Sequence, residues 1–167
     1  MDGLSVFASM NPQEGGVNET ETGYGATYTG IEGLTVSYAT TDIESGATAT
    51  SGDHTAMKIS YAYGPVTVTA TNSEFDVGTA SSDQELSSFA ISYTISDELS
   101  VTYGEDTIEK GGDPTDAEYS VIKGSYTAGG MTITASMKDG ENINHGTASN
   151  QDFEYWSLGC LLYTSPS

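Results

Sequence analysis

The chain has 167 residues, enough for one domain, and its 24 acidic side chains stand against four basic ones, all lysines (Lys58, Lys110, Lys123 and Lys138), for a net charge of −20. That balance excludes nucleic-acid binding, which needs Lys and Arg against phosphates. Ser, Thr, Gly and Ala dominate, Leu is scarce, and eleven Tyr accompany four Phe and one Trp; this mix is ill suited to a close-packed aliphatic interior and suits a sheet with one modestly apolar face and one wet face.

Alternation with period two recurs down the chain, and nothing reads at helical period. Ten strands are predicted, near residues 3–10, 22–30, 34–44, 54–63, 65–75, 85–96, 99–107, 117–128, 131–139 and 152–159. A long polar connection near 11–21 precedes the second strand, and a short turn at Gly30–Gly33 leads into Leu34, Val36 and Tyr38, alternating with Thr35, Ser37 and Ala39. After a loop near 45–53, Met57, Ile59, Tyr61 and Tyr63 alternate with Ala56, Lys58, Ser60 and Ala62. Gly64-Pro65 turns the chain into Val66, Val68 and Ala70, set against Thr67, Thr69 and Thr71. A loop near 76–84 follows, then Phe89, Ile91, Tyr93 and Ile95 against Ala90, Ser92 and Thr94. A turn at Ser96–Glu98 opens Leu99, Val101 and Tyr103. Beyond a loop near 108–116 and a turn at Ala128–Gly130, Met131, Ile133, Ala135 and Met137 alternate with Thr132, Thr134, Ser136 and Lys138, before a last loop near 140–151. β-branched and aromatic residues fill these runs, as strands prefer.

The alternation of short turns with long loops has a physical cause in a membrane barrel, which carries tight periplasmic turns and longer outer loops. Strands of about 9–11 tilted residues cross a bilayer, and closure satisfies every edge where lipid offers no hydrogen bonds. On that reading the polar phase lines water: Lys58, Ser60, Thr67, Thr69, Ser92, Thr94, Thr132, Thr134, Ser136 and Lys138. The apolar phase faces lipid: Leu34, Val36, Tyr38, Ile59, Tyr61, Phe89, Ile91, Tyr93, Val101, Tyr103 and Ile133. Lys123 shares a phase with Tyr119 and Val121; it is expected in the lumen, because a Lys facing lipid at mid-membrane costs about 2–4 kcal/mol. Tyr24, Tyr28, Tyr38 and Tyr155 are placed on apolar phases, and with the strand-end tyrosines they fit interfacial girdles.

Most acids fall in segments that read as loops, Glu105, Asp106, Glu109, Asp113, Asp116 and Glu118 in one, Asp139 and Glu141 with Asn144 in another. Such acidity either keeps a protein soluble, as in a salty habitat, or attracts cations to a surface or channel. Asp139-Gly140-Glu141-Asn142 lacks EF-hand spacing, so no metal site is expected; divalent ions bridging the loops to lipopolysaccharide phosphates are a reasonable use of the charge. His54 and His145 stand far apart in sequence, with no H-E-x-x-H, no phosphate-cradling Gly-rich loop and no G-x-S-x-G elbow. No catalytic residue and no cofactor are expected, and the chain is read as not an enzyme.

No run of about 18 apolar residues occurs, so no spanning helix is expected. Met1-Asp2-Gly3 leads straight into strand sequence without a basic and apolar prelude; if the protein is exported, its leader is expected upstream. The tail Cys160-Leu161-Leu162-Tyr163-Thr164-Ser165-Pro166-Ser167 resembles the in-frame translation of a transposase adapter used in shotgun DNA libraries. Residues 1–159 are therefore taken as the barrel segment and 160–167 as a non-native tail, which leaves the native part without cysteine.

Gly33-Leu34-Thr35-Val36-Ser37-Tyr38, the run from Ala90 through Ser96-Asp97-Glu98 to Tyr103, and Tyr119–Tyr126 together resemble the Gram-negative general porins, especially the acidic porins of marine proteobacteria. The resemblance covers residues 1 to about 159 and rests on strand grammar. It implies an all-β, up-and-down barrel of 16 strands in the bacterial outer membrane, of which about ten are here. It also implies a homotrimer passing small hydrophilic solutes passively, in contact with outer-membrane lipid and lipopolysaccharide. No loop reads as an inward-folded constriction loop, so constriction residues are not carried over. With acidic mouth loops the pore is expected to prefer cations weakly, opposed by the lumen lysines. As it stands, with bare strand edges and a lipid-facing band, the chain is expected to aggregate in water. The competing reading is a secreted acidic β-sandwich or solenoid that binds at a surface, its apolar face folded inward; a barrel enzyme is the weakest alternative.

Overall fold

The computed structural model describes residues 2–12, 20–44, 51–77, 83–146 and 152–163. Ten strands follow in order: β1 (Leu4–Asn11), β2 (Thr20–Ile31), β3 (Leu34–Glu44), β4 (Gly52–Tyr63), β5 (Val66–Val77), β6 (Gln84–Thr94), β7 (Leu99–Lys110), β8 (Ala117–Ala128), β9 (Met131–Glu141) and β10 (Phe153–Leu162). Each pairs antiparallel with the next, so a single sheet runs from β1 at one edge to β10 at the other. Among the described residues no second layer covers it, and the strands touch chiefly their chain neighbours. A sandwich, with its apolar face folded inward, is therefore not the architecture. The sheet stands open between β1 and β10.

The tight turns follow from their residues. At the β8–β9 turn Gly129 and Gly130 both have positive φ, 60° and 78°, the two-residue geometry whose twist matches the flanking strands. At the β6–β7 turn the Ser96 hydroxyl accepts hydrogen bonds from the backbone N–H groups of Glu98 and Leu99, a local bond that Ser offers in place of another ladder step. Of the longer connections, the one between β7 and β8 is tied by an ion pair between Lys110 and Asp113 at 3.3 Å, and Gly111 donates its N–H to the Asp83 carbonyl at 2.8 Å. The expected loops at 11–21, 45–53, 76–84 and 140–151 lie partly or largely outside the described residues.

Six strands run two or more residues further than the sequence predicts: β2 starts at Thr20 and β4 at Gly52, while β5 runs to Val77, β7 to Lys110, β9 to Glu141 and β10 to Leu162. Glu109 and Glu141 are thus strand residues beyond the predicted strand ends, and Glu105, Asp106, Glu118 and Asp139, which fell within both a predicted strand and an expected acidic loop, are strand residues as well. Acidic composition imitates a loop, but here each carboxylate projects from a paired backbone, whose ladder does not depend on the side chain. Cys160, Leu161 and Leu162 likewise continue β10, opposite Ile133, Thr132 and Met131.

The sheet has almost no interior. Val77 (4% exposed) and Ala117 (1%) are the buried apolar residues among those described. A ten-stranded sheet without a core needs a non-aqueous neighbour for its apolar side, since that many exposed hydrophobes amount to far more than ordinary surface scatter.

Candidate pore wall and lipid-facing surface

Residues directly opposite across a ladder share a face of the sheet, so register assigns every strand residue to one of two surfaces. Lys58, Ser60, Thr67, Thr69, Ser92, Thr94, Thr132, Thr134, Ser136 and Lys138 all lie on one face. Leu34, Val36, Tyr38, Ile59, Tyr61, Phe89, Ile91, Tyr93, Val101, Tyr103 and Ile133 all lie on the other. Lys123 sits between Thr102 and Ser136, on the Ser/Thr face.

The two faces differ in how their side chains meet. On the Ser/Thr face short hydroxyl pairs bridge neighbouring strands: Thr27 and Ser37 at 3.1 Å, Ser60 and Thr69 at 3.1 Å, Ser92 and Thr102 at 2.8 Å, Ser136 and Ser157 at 2.8 Å. Each such cross-strand pair contributes roughly 0.2–1 kcal/mol. His54 joins this face, its Nε2 2.8 Å from the Ser73 hydroxyl and its ring edge-on to Phe75. The opposite face carries large unpartnered hydrophobes, from Val6 and Tyr24 through Ile59, Phe89 and Ile122 to Leu158 and Trp156, the last 78% exposed.

Charge is sorted by the same register. All four lysines, Lys58, Lys110, Lys123 and Lys138, stand on the Ser/Thr face. Every strand carboxylate except Glu21 and Asp106 stands on the apolar face, and always at its long-loop end: Asp42, Glu44, Asp53, Glu74, Asp76, Glu85, Glu105, Glu109, Glu118, Asp139, Glu141 and Glu154. The polarity of the sheet therefore inverts along the strands. Towards the long loops the Ser/Thr face turns apolar, with Ile43, Phe75, Val77, Leu86, Ile108 and Ala117 on it.

The border between apolar and acidic zones does not follow the hydrogen-bond direction. One row of direct partners on the apolar face reads Tyr28, Val36, Ile59, Ala70, Phe89, Glu105, Ser120, Asp139, Glu154 from β2 to β10. It starts apolar and ends acidic. Such a row is perpendicular to the strands, so an apolar layer of constant height is crossed obliquely only if the strands tilt against that layer. Barrel strands tilt by about 35–45°. At the crossing, the Tyr103 hydroxyl donates to the Glu105 carboxylate two residues on, a ring in the apolar zone with its tip on the acidic one.

Two features escaped the sequence. Tyr155 lies on the Ser/Thr face, opposite Lys138, and not on the apolar phase. The Lys138 ammonium sits 5.7 Å from the centre of the Tyr155 ring. Phe153 shares that face and stacks on Tyr155 at 5.7 Å, with Tyr119 6.2 Å from Phe153 on the other side. The phase of β10 was legible only from Trp156 and Leu158 against Ser157 and Gly159, which put 153 and 155 with the small residues.

An up-and-down sheet with one uncovered apolar face, a hydroxyl-lined reverse and an oblique polarity border is wall of a transmembrane β-barrel. The sequence model described as Gram-negative porin matches residues 1–160, so the chain belongs to that family, and its place is the bacterial outer membrane. The fold is similar to that of a solved porin refined at 1.8 Å resolution, with a TM-score of 0.69 at 17% identity, over 95% of this chain and 59% of that one. It is also similar to the outer-membrane expressed OmpT of Vibrio cholerae, with a TM-score of 0.58 at 19% identity, over 84% and 51%. The chain thus spans between half and three fifths of the length of these solved porins. A comparison with curated proteins finds no match.

Proposed function

We propose that the Ser/Thr face lines a water-filled pore through which small hydrophilic solutes and ions diffuse passively, while the opposite face meets lipid. The oblique row from Tyr28 to Glu154 carries this reading, because only a tilted wall crossing an apolar layer of fixed height orders side chains in that way. No bond is made or broken. The barrel supplies a fixed opening, and fixed charges near it bias which ions enter. The whole protein works as a homotrimer on this proposal, its acidic rim at the level of the lipopolysaccharide headgroups.

Selectivity is weak and favours cations. The net charge of −20 draws cations towards the mouth. The rim carboxylates, however, stand on the outward side of the wall, and at physiological salt a field falls away within about 8 Å. Lys58, Lys123 and Lys138 on the inner side oppose them directly. Reconstitution of the whole protein in a planar bilayer tests both levels. Stepwise KCl conductance is expected, with a reversal potential slightly on the cation side that moves further that way in Lys58→Gln with Lys138→Gln. Absence of conductance refutes the pore; an anion-side reversal potential refutes only the cation preference.

A further inference from the structure

An aromatic group stands at the long-loop end of the Ser/Thr face, where that face turns apolar. Phe153 lies where a side chain on Gly140 would be, so the absence of a Cβ lets the ring settle over the backbone of β9. It continues on one side into Tyr155 and on the other towards Tyr119, a shelf of rings across β8, β9 and β10. Tyr155 is 45% exposed. A cavity of about 230 Å³ opens beside the shelf, with Asp106, Val121 and Lys138 among its walls. The row logic places it high on the wall: Asp106, Tyr119, Gly140 and Phe153 are successive partners, level with the acidic rim outside.

The geometry points to a binding site for a sugar ring at the pore mouth, an inference that rests on the pore reading of this face. Small-molecule sites combine apolar and aromatic walls with a few placed polar groups, and this one has both in a form that suits a pyranose. A pyranose presents one C–H-rich face and a rim of hydroxyls. The ring shelf receives the C–H face through dispersion and weak C–H contacts. The Lys138 ammonium donates to hydroxyl oxygens, and the Asp106 carboxylate accepts from hydroxyl hydrogens, so the rim is met from both sides. A cation is a poorer occupant of Tyr155, because Lys138 already stands over that ring at 5.7 Å. An anion meets Asp106. At 230 Å³ the space is below the roughly 300–1,000 Å³ of drug-sized sites and suits one or two sugar units. Attraction at the mouth raises the local concentration of a neutral solute that charge alone does not steer.

Maltose and maltotriose added on the long-loop side of the whole porin in a planar bilayer test the assignment, with KCl carrying the current. Both sugars are expected to interrupt the current in a saturable manner. Tyr155→Ala and Phe153→Ala are expected to raise the half-blocking concentration about tenfold with KCl conductance retained, which shows the barrel still formed. Phe7→Ala, which removes the ring lying over Gly25 on the same face near the β1 edge, is expected to leave the block unchanged. Conductance without sugar block, block insensitive to both shelf variants, or block equally reduced by Phe7→Ala overturns the sugar site and leaves the pore intact. No KCl conductance at all overturns the pore itself.

Discussion

The short-turn half and the long-loop half of this sheet obey opposite rules. Near the turns, large apolar side chains cover the outer face and Ser, Thr and Ala the inner one; Tyr61, Val68 and Ile91 stand back to back with Ser60, Thr69 and Ser92. Near the loops, carboxylates occupy the outer face and Phe75, Val77 and Ile108 the inner one. The backbone is the same continuous ladder in both halves. On the proposed reading, what changes is the solvent outside it: hydrocarbon at one height, charged headgroups and water above. The difference teaches that environment, and not strand identity, dictates which face is apolar.

The strongest test of that contrast is to move a charge between halves. Ile59→Lys, on the outer face of the apolar zone, is expected to cost about 2–4 kcal/mol, the price of a Lys at the bilayer midplane. Thr69→Lys, on the reverse face, is expected to cost no more than about 1 kcal/mol, the worth of its hydroxyl pair with Ser60. Denaturant unfolding in lipid vesicles measures both, and equal costs would break the assignment of faces. Next in size is a turn variant at the short-turn end. Gly129→Val forces a β-branched residue to φ 60°, with an expected loss of about 1–2 kcal/mol, readable in the same assay. At the border between halves, Tyr103→Phe removes the hydroxyl that donates to Glu105 and is expected to lower stability by less than the turn variant does, in the same assay. Smallest of all is Glu109→Gln within the rim. An exposed charge there is expected to change stability by no more than about 0.5 kcal/mol; a loss comparable with that of Ile59→Lys would show that the rim is buried and the inversion misread.

Much of the wall was legible in the chain. Ten strands, their order and the four tight turns follow from period-two runs punctuated by Gly, Pro and Ser. The Ser/Thr phase holding Lys58 and Lys138 emerged from counting alone, because a strand's side chains alternate whatever it pairs with; for Lys123, whose strand carries apolar residues in both phases, the cost of a Lys against lipid made the choice. Strand ends were less readable. Glu109 and Glu141 lie past the predicted strand ends, because an acidic strand end looks like a loop to any rule that expects apolar alternation. An aromatic residue next to Trp156 offers two candidate apolar phases; the alternation of Trp156 and Leu158 with Ser157 and Gly159 favours placing Tyr155 with the small residues, and its pairing with Lys138 shows that it lies there.

The sequence by itself determined the local matters: which residues are extended, where the chain reverses, and which side chains share a strand's face. These depend on neighbours within a few residues, through sterics and turn chemistry. The tertiary structure decided what needs register across several strands. It sorted lysines and carboxylates onto opposite faces, set the oblique border from Tyr28 to Glu154, and gathered Tyr119, Phe153 and Tyr155 into one shelf from two strands separated by β9. Those arrangements arise from the stagger of hydrogen-bonded partners, a non-local quantity that no single strand's alternation contains.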